Sequence, residues 1–449
     1  MKSETEYTAL GDTHRIGASA HYLRMGDWGI LLDTGLDPHT NDAPLLPDYE
    51  AIAGNPVNAI IISHAHLDHL GSLPVALRYF PHARVYMTPA TAALSETMLF
   101  HYLRVKEKRA LASEIKFQPF YSMDELENIL YLFQSFKYNF PFKIHGFQES
   151  EIEVTFWDAG HILGSAGVEI SWQNNRLFYT GNTKKSSQFI LNGARYPESI
   201  DFLITESTYG DNETAPLIRK QNEINRFAQF LQHRINLGGS VLIPVFALGR
   251  TQEIMVLLHR LIQQRKINPV PIYLTGFGIK INRIYDNLLH RVYPNFQPKL
   301  LRTIAYDTLQ GRRYRKPSII LATSGMMLTN TVSYEIATDF LNEVRNGIAF
   351  VGWADPETPG GMLRQMKQEK VKKVFGVTDL ACAVDIFQFS AHSQREELLA
   401  MVKQLNPFIT LLTHGEIPAL VWMRDNIIDR KLSAKTFIPE KLERIALSK

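Results

Sequence analysis

The segment IISHAHLDHLGSL, residues 61–73, contains four residues of metal-binding types within six consecutive positions. His64, His66, Asp68 and His69 follow the apolar segment NAIII and lead into a segment with a helical pattern. On an extended turn, side chains two positions apart point the same way, so His64 and His66 can share one ion. Asp68 and His69 can then reach a second ion nearby. A single histidine is usually structural, but this H-x-H-x-D-H pattern predicts a loop that serves two metals.

The cysteine content limits how a metal could be held. Cys382 is the single cysteine among 449 residues, which excludes an intramolecular disulfide and a cysteine-rich zinc finger. Histidine and carboxylate side chains must therefore hold any metal, and the 15 histidines make this possible.

The H-x-H-x-D-H motif after an apolar strand resembles that of the metallo-β-lactamase superfamily. Asp33 in ILLDTG resembles the early aspartate of that superfamily, and His161 in DAGHILGSA matches its third-position histidine. Three further segments resemble motifs A, B and C of the β-CASP nucleases: ITESTYG with Glu206, FSAHS with His392 and LTHGE with His414. The segments ALGRTQE, ATSGMM and GGMLRQM resemble landmarks of the inserted β-CASP domain, so the resemblance covers essentially the whole chain.

The resemblance implies a two-zinc centre that hydrolyses phosphodiesters. One Zn²⁺ is expected on His64, His66 and His161, and the other on Asp68, His69 and His414. Asp68 would also orient the nucleophilic water, and Asp33 would support the metal loop from behind. His392 is the predicted general acid, and Glu206 would keep its ring charged and oriented.

One position departs from the family pattern. The fourth metal motif normally ends in an aspartate that bridges both ions, whereas this chain reads FYTGN and has Asn182 in that place. An amide is neutral and bridges cations poorly, so metal affinity and activity should both fall. Two explanations stay open: a deliberate substitution that makes an inactive enzyme for trapping substrate, or a natural variant that holds one ion weakly.

Three residues are candidates for contacts with substrate phosphates. Ser324 lies in the small-residue segment ATSGMM after an apolar strand, and Arg250 opens a helix in LGRTQE, where an anion would be favoured. Arg364 in GMLRQM offers a further guanidinium. An ordinary turn or a solvated surface residue is the alternative at each position.

The pattern of apolar residues predicts two kinds of domain. Short apolar strands alternate with Gly, Asp and Asn turns in the first half, which is typical of packed sheets. Residues 91–140 have helical spacing and predict a helical excursion that covers one sheet edge. After Tyr209, helices alternate with apolar strands, as in a parallel α/β sheet.

The charge is divided unevenly along the chain. Residues 209–389 contain about 23 Lys and Arg against about 14 Asp and Glu, while the remainder is acidic. This balance indicates a polyanion-binding domain. The segment KQEKVKK, residues 367–373, is interpreted as a solvated face. Stronger candidates for backbone contacts lie beside Tyr314, namely Arg312, Arg313, Arg315 and Lys316.

Together, these observations predict an α/β protein in which an αββα metallo-β-lactamase sandwich carries an inserted parallel α/β β-CASP domain. The sandwich is assigned to residues 1–208 and 390–449, and the insertion to residues 209–389. Substrate is expected in the cleft between them. No basic start followed by an apolar run is visible, and no stretch approaches the ~20 apolar residues that span a bilayer, so we expect a cytoplasmic protein that does not associate with membranes.

The predicted function is a zinc-dependent ribonuclease acting on single-stranded RNA, and Asn182 is expected to impair it. RNA is favoured because DNA-directed relatives usually have an aliphatic residue in the place of His414. The alternatives are a DNA-processing nuclease of the same superfamily and a non-catalytic nucleic-acid-binding relative, for which Asn182 is the only support. A small-molecule hydrolase would not need the basic insertion. Endonuclease and exonuclease action both stay open, as do a monomer and a homodimer.

Overall fold

The computed structural model describes residues 5–37, 46–113, 119–144, 146, 151–213, 219–296 and 299–449. The chain divides into two compact units. The first unit comprises Met1–Ser187, Asn192–Glu213 and His392–Lys449, and the second comprises Gln188–Leu191 and Thr214–Ala391. Among the described residues, no helix combines the length and apolar character needed to cross a membrane.

In the described part of the first unit, two mixed sheets have seven strands each. Along the chain its first strands are β1 (Thr5–Ala9), β2 (His21–Met25), β3 (Trp28–Leu32), β4 (Ala59–Ile61), β5 (Arg84–Met87) and β6 (Phe133–Ser135). They are followed by β7 (Phe142–Ile144), β8 (Ile152–Asp158), β9 (Ala166–Trp172), β10 (Asn175–Tyr179) and β11 (Phe202–Glu206). The helices of this part are α1 (Leu67–Leu70), α2 (Leu73–Tyr79), α3 (Pro89–Ser113) and α4 (Met123–Leu130).

The second unit is built from alternating helices and strands. Its helices are α5 (Lys220–Asn236), α6 (Arg250–Gln263), α7 (Gly276–Val292), α8 (Val332–Leu341), α9 (Pro359–Arg364) and α10 (Gln368–Phe375). Its strands are β12 (Val241–Pro244), β13 (Ile272–Leu274), β14 (Asp307–Thr308), β15 (Ile319–Ala322), β16 (Gly347–Phe350) and β17 (Ala383–Ile386).

The last segment of the chain returns to the first unit. It forms α11 (Arg395–Leu405), β18 (Ile409–Thr413), α12 (Ile417–Asp429), β19 (Lys435–Phe437) and β20 (Arg444–Leu447). The two sheets then have the orders β20-β1-β2-β3-β4-β5-β6 and β19-β18-β11-β10-β9-β8-β7. Both sheets are therefore completed only by residues from the end of the chain.

The core of the first unit lies between its two sheets. Alternate residues of β8 are buried, and Val154 and Phe156 pack in one cluster with Leu23 and Ile30 of the other sheet. Leu31 follows Ile30 and therefore points to the opposite face of the sheet. It is also fully buried, so that face is covered as well.

Helices α11 and α12 cover the outer face of the second sheet. Leu398 and Met423 on these helices pack with Phe178 and Leu203 on the strands. The arrangement of two facing sheets between helical layers confirms the predicted αββα sandwich.

The sheet of the second unit is parallel throughout, in the order β14-β13-β15-β12-β16-β17. All four residues of β12 and of β15 are buried, as expected for strands covered on both faces. Ile336 and Phe340 of α8 pack against this sheet. The predicted parallel α/β architecture is confirmed.

The helical excursion predicted for residues 91–140 is wrong near its end, where the chain forms a strand. Helix α4 starts at a capping box in which Ser122 accepts from the Glu125 backbone and Glu125 accepts from the Ser122 backbone. The helix ends at Leu130, and Phe133–Ser135 form strand β6, which pairs in parallel with β5. Pairing to the open edge of the sheet thus overrides the local helical spacing.

Candidate metal centre

The metal loop begins where β4 ends and is held by the aspartate that follows β3. Because β3 and β4 pair in parallel, Asp33 and Ser63 emerge at the same edge of the sheet. The Asp33 carboxylate accepts the Ser63 backbone N–H at 2.6 Å and the Ser63 hydroxyl at 2.7 Å. A Cβ at Gly35 would come within 1.8 Å of the Asp68 carbonyl oxygen, so only glycine allows the DTG segment to pack this closely against the loop.

The first group of candidate ligands is His64, His66 and His161, whose donor atoms lie within 4.8 Å of one another. The His161 Nε2 and His66 Nδ1 atoms are 3.2 Å apart. His64 Nδ1 lies 3.0 Å from the Ser63 hydroxyl, whose proton is already donated to Asp33, so His64 Nδ1 carries the proton here. His64 Nε2 is buried and has no hydrogen-bond partner in the described part of the chain. That nitrogen is left to bind a metal.

The second group is Asp68, His69 and His414, again within 4.8 Å. His69 Nε2 is 3.2 Å from His414 Nε2, and Asp68 Oδ2 lies 3.5 Å from the first nitrogen and 3.3 Å from the second. His69 Nδ1 donates to Asp33 Oδ2 at 2.7 Å. If both rings are neutral and His414 also carries its proton on Nδ1, the Nε2 lone pair of His69 faces the Nε2 lone pair of His414.

Thr208 determines that tautomer of His414. Its hydroxyl donates to Glu206 Oε2 at 2.6 Å, so it can only accept from His414 Nδ1, which lies 3.2 Å away. Two lone pairs facing each other at 3.2 Å repel unless a proton or a metal cation lies between them. Two ligands 2.0–2.1 Å from a tetrahedral zinc are about 3.3 Å apart. The separations of 3.2–3.5 Å between His66 and His161 and among Asp68, His69 and His414 match that value.

Electrostatics favour the metal-binding forms of His64, His414 and Asp68, while His69 attracts a proton. Burial lowers the pKa of His64 well below its usual range and also lowers the pKa of His414. Burial opposes ionisation of Asp68, but the His69 and His414 rings hold the pKa of this carboxyl well below its usual range. The pKa of His69 is raised, despite burial, by the Asp68 and Asp33 carboxylates. A dication would take the place of the proton that these carboxylates attract to His69.

Glu206 and His392 form a hydrogen-bonded pair beside these groups. Glu206 ends β11, is 1% exposed and accepts from the Thr183 backbone at 2.5 Å, from Thr208 and from His392 Nδ1 at 2.8 Å. Burial works against ionisation of Glu206, but His392 lowers its pKa. The His392 ring centroid lies 4.6 Å from that of His161. Through Nδ1, Glu206 fixes the orientation of the His392 ring.

Asn182 lies between two residues, Tyr179 and Thr183, that donate hydrogen bonds to Asp33 and Glu206. Tyr179 donates to Asp33 at 2.6 Å on one side of it, and the Thr183 backbone donates to Glu206 on the other. Asn182 is 2% exposed, and its Oδ1 atom has no hydrogen-bond partner among the described residues. A buried carbonyl oxygen of this kind can act as a neutral metal ligand, but it brings no charge.

The three candidate phosphate ligands belong to the second unit. Arg250 is buried, and its guanidinium donates to the Phe389 carbonyl and, at 2.9 Å, to Gln188 Oε1. The Ser324 backbone N–H is engaged by the Ser333 hydroxyl at 3.2 Å. Arg364 ends α9 and is partly buried. These contacts are internal to the unit, and phosphate binding by the three residues stays a prediction.

Sequence reasoning missed two residues that hold the site, Thr208 and Tyr179. Thr208 lies two positions after Glu206, a spacing that placed it on the same side of the chain and could have indicated a shared role. Tyr179 had no such signal, since it meets Asp33 from 146 positions away.

Thr208→Val is expected to weaken metal binding by about tenfold, the lower end of the range for partners of metal ligands. Valine preserves the shape but removes the acceptor of the His414 Nδ1 proton and one donor to Glu206. Competition with a chromophoric chelator would measure the affinity. The matched control is Thr410→Val, because Thr410 is also buried and its hydroxyl has no partner within the described residues. Equal affinity in the two variants would contradict the role given to Thr208.

Three family profiles match successive parts of the chain. The metallo-beta-lactamase superfamily domain matches residues 22–208, the Beta-Casp domain residues 251–363, and a Zn-dependent metallo-hydrolase RNA specificity domain residues 378–439. With the αββα sandwich and its paired histidine groups, they define a metallo-hydrolase-type protein. The chain belongs to the metallo-β-lactamase superfamily and, within it, to the β-CASP family. Membership implies metal dependence, for which the two groups are candidate sites.

Curated relatives align over most of the chain. The endoribonuclease YSH1 of Candida glabrata is 28% identical over 434 residues, which cover 92% of this chain and 55% of that protein. The transcription termination factor FttA of Methanothermobacter thermautotrophicus is 29% identical over 443 residues, covering 91% of this chain and 66% of that protein. The chain therefore spans little more than half the length of the first of these relatives.

A solved structure shares the fold. The crystal structure of a protein of unknown function from Enterococcus faecalis matches with a TM-score of 0.57, covering 99% of this chain and 100% of that one. At 12% sequence identity, this likeness concerns the fold alone.

Proposed function

We propose that this protein is a zinc-dependent ribonuclease that hydrolyses RNA phosphodiesters, and that Asn182 impairs it. The observation that carries the proposal is the pair of three-ligand groups, each with its donor atoms within 4.8 Å of one another, next to the hydrogen-bonded pair of His392 and Glu206. One group would consist of His64, His66 and His161, and the other of Asp68, His69 and His414.

Phosphodiester hydrolysis needs a nucleophile, charge neutralisation and a proton for the leaving oxygen. Bound zinc would supply hydroxide at neutral pH and offset the negative charge of the phosphate. Asp68 would accept a hydrogen bond from the attacking water and orient it, and its side chain is 21% exposed beside two buried rings, which supports this role. His392 would give the Nε2 proton to the leaving oxygen, while Glu206 holds the Nδ1 proton and stabilises the charged ring.

RNA is the proposed substrate for two reasons. The names of the relatives include an endoribonuclease, and one matched profile is described as an RNA specificity domain. His414 occupies motif C, where DNA-directed relatives usually have an aliphatic residue. The test is cleavage of a 5′-labelled single-stranded RNA and of the DNA of the same sequence, each with Zn²⁺ and with excess chelator. Cleavage of DNA but not RNA, or cleavage that persists in chelator, would overturn the proposal.

We expect the basic second unit to carry most of the binding to RNA. Lysine and arginine side chains that neutralise phosphates release counterions, so affinity should fall steeply between roughly 50 and 200 mM salt, with a slope of about −0.7 per phosphate contact on a single strand. Fluorescence anisotropy with a labelled RNA measures this slope. An affinity that does not change with salt would contradict the expectation.

The exposed residues next to Tyr314 provide a sharper form of this test. Arg312 is paired with Asp339 at 3.1 Å, so the variant changes Arg313, Arg315 and Lys316 to alanine. If each contacts a phosphate, the salt slope should become shallower by about 2.

The matched control removes three lysines from the segment KQEKVKK. Lys370, Lys372 and Lys373 lie on α10, which the charge pattern assigns to a solvated face. Alanine at these three positions should leave the slope close to that of the unaltered protein. A larger change in the control than in the variant at 313, 315 and 316 would assign RNA binding to α10 instead.

One observation favours a second candidate, a non-catalytic binder of nucleic acid. The neutral, buried amide of Asn182 stands where the family has a carboxylate. Tight RNA binding without cleavage, in this protein and in its Asn182→Asp variant alike, would support that candidate.

A further inference from the structure

A chain of buried hydrogen bonds extends from the metal loop into the core of the first unit. Asp33 Oδ2 accepts from Tyr179 at 2.6 Å, and the Tyr179 hydroxyl lies 3.4 Å from the Ser19 hydroxyl. Ser19 Oγ is 3.1 Å from His21 Nε2, and His21 Nδ1 is 2.9 Å from the Tyr7 hydroxyl. All five side chains are at most 4% exposed.

Only one placement of the protons satisfies every contact. The Tyr179 proton belongs to Asp33, since a carboxylate can only accept, so the Ser19 hydroxyl must donate to the Tyr179 oxygen. Ser19 then accepts from His21 Nε2–H, which leaves His21 Nδ1 to accept from Tyr7. Every bond therefore points in the same direction, towards Asp33.

Electrostatics agree with this placement of protons. Burial lowers the pKa of His21 to about 3, so the ring is neutral and has one donor and one acceptor nitrogen. Burial and the Asp33 charge raise the pKa of Tyr179 well above its usual range, so its hydroxyl keeps the proton that it donates. Hydrogen bonds aligned in one direction polarise and strengthen one another.

The chain ends on the oxygen that orients the metal loop. Asp33 Oδ2 accepts from Tyr179, from the Ser63 hydroxyl and from His69 Nδ1. Tyr179 thereby restrains the carboxylate that holds His69 with its Nε2 atom towards Asp68 and His414.

We propose that Tyr7, His21, Ser19 and Tyr179 form a one-way hydrogen-bond relay that positions Asp33 and, through it, His69 for metal binding. Tyr179 is the principal positioning residue, because it touches Asp33 directly. The role in metal binding rests on the metal centre of the proposed function, whereas the direction of the relay does not.

The first test compares the Co²⁺ affinity of the full chain with that of Tyr179→Phe, by competition with a chelator. The affinity should fall by roughly tenfold or more, and the visible absorption spectrum of the bound Co²⁺ should change, because His69 is no longer held in one orientation. Ser19→Ala interrupts the relay one step further away and should produce a smaller change of the same kind. It also serves as the test if Tyr179→Phe fails to fold.

The matched control is Tyr86→Phe. Tyr86 belongs to the same core as Tyr179, is 1% exposed and takes no part in the relay, so its variant should bind Co²⁺ as the unaltered chain does. If Tyr179→Phe and Ser19→Ala retain the affinity and spectrum of the Tyr86→Phe control, the positioning role is wrong.

The second test reads the direction of the relay without any metal. Nitrogen-15 NMR of the imidazoles should show His21 with its proton on Nε2 in the chain and in Tyr86→Phe. A proton on Nδ1 would overturn the relay, even if Co²⁺ binds. If the chain takes up no Co²⁺ while His21 has the expected tautomer, the proposed metal centre and the positioning role both fail, but the hydrogen-bond arrangement stands.

Discussion

Asn182→Asp should raise zinc content to two ions per chain and RNA cleavage by roughly 100-fold or more, since even the partners of metal ligands contribute 10- to 100-fold. The buried Oδ1 of Asn182 lies on the segment between the supports of both metal groups. A carboxylate there would offset the mutual repulsion of two dications and fix their separation, which an amide does poorly.

The unaltered chain is expected to lose metal first from the group of Asp68, His69 and His414. Each group supplies three protein ligands, which is enough to hold zinc, so partial occupancy rather than complete loss is expected. Metal analysis after dialysis and single-turnover cleavage of labelled RNA measure the two effects on the same samples. RNA affinity should be equal in both forms, because we expect the basic second unit to carry most of the binding.

Asn182→Ser separates the effect of charge from that of size. Serine is small and neutral, so it should leave metal content and cleavage no higher than in the unaltered chain. Two tightly held zinc ions in the unaltered protein, with cleavage equal to that of Asn182→Asp, would show that the bridging carboxylate is dispensable here.

His392→Ala in the Asn182→Asp background is expected to lower turnover by roughly 10²- to 10⁴-fold with metal content unchanged. His392 is held by Glu206 at 2.8 Å and lies next to the His161 ring, but it belongs to neither group of metal ligands. Loss of its proton should therefore affect the leaving oxygen and not the metals.

Two further variants make this test specific. Glu206→Gln keeps the hydrogen bond but removes the charge that stabilises a protonated His392 ring, so it should show an intermediate loss of turnover. His82→Ala changes an exposed histidine in the loop before β5 and should leave turnover unaltered. Loss of zinc from His392→Ala would instead show that His392 is a ligand.

Much of the architecture could be predicted because it depends on local patterns. The apolar alternation in strands such as β8 and the continuous apolar run of β12 are properties of neighbouring residues. They sufficed for packed sheets and for the parallel second sheet, whereas the αββα arrangement came from the resemblance to the family. Helical spacing gave a wrong prediction for Phe133–Ser135. These residues pair with the open edge of the sheet, and a local sequence pattern does not show that such an edge is nearby.

The sequence by itself determined which residues could bind metals together within one loop, since the spacing of His64, His66, Asp68 and His69 is fixed by the backbone. Resemblance to a family extended this to distant positions, and the metal-binding roles remain predictions. The tertiary structure alone indicated which nitrogen carries the proton in His69, His414 and His21. Those assignments depend on Thr208, on Asp33 and on Tyr179, which meets Asp33 across 146 positions. It also turned Arg250 inward, because the helix that Arg250 opens places its guanidinium against the Phe389 carbonyl. Hydrogen-bond partners brought together by folding have no spacing in the chain, so no local pattern could have predicted them.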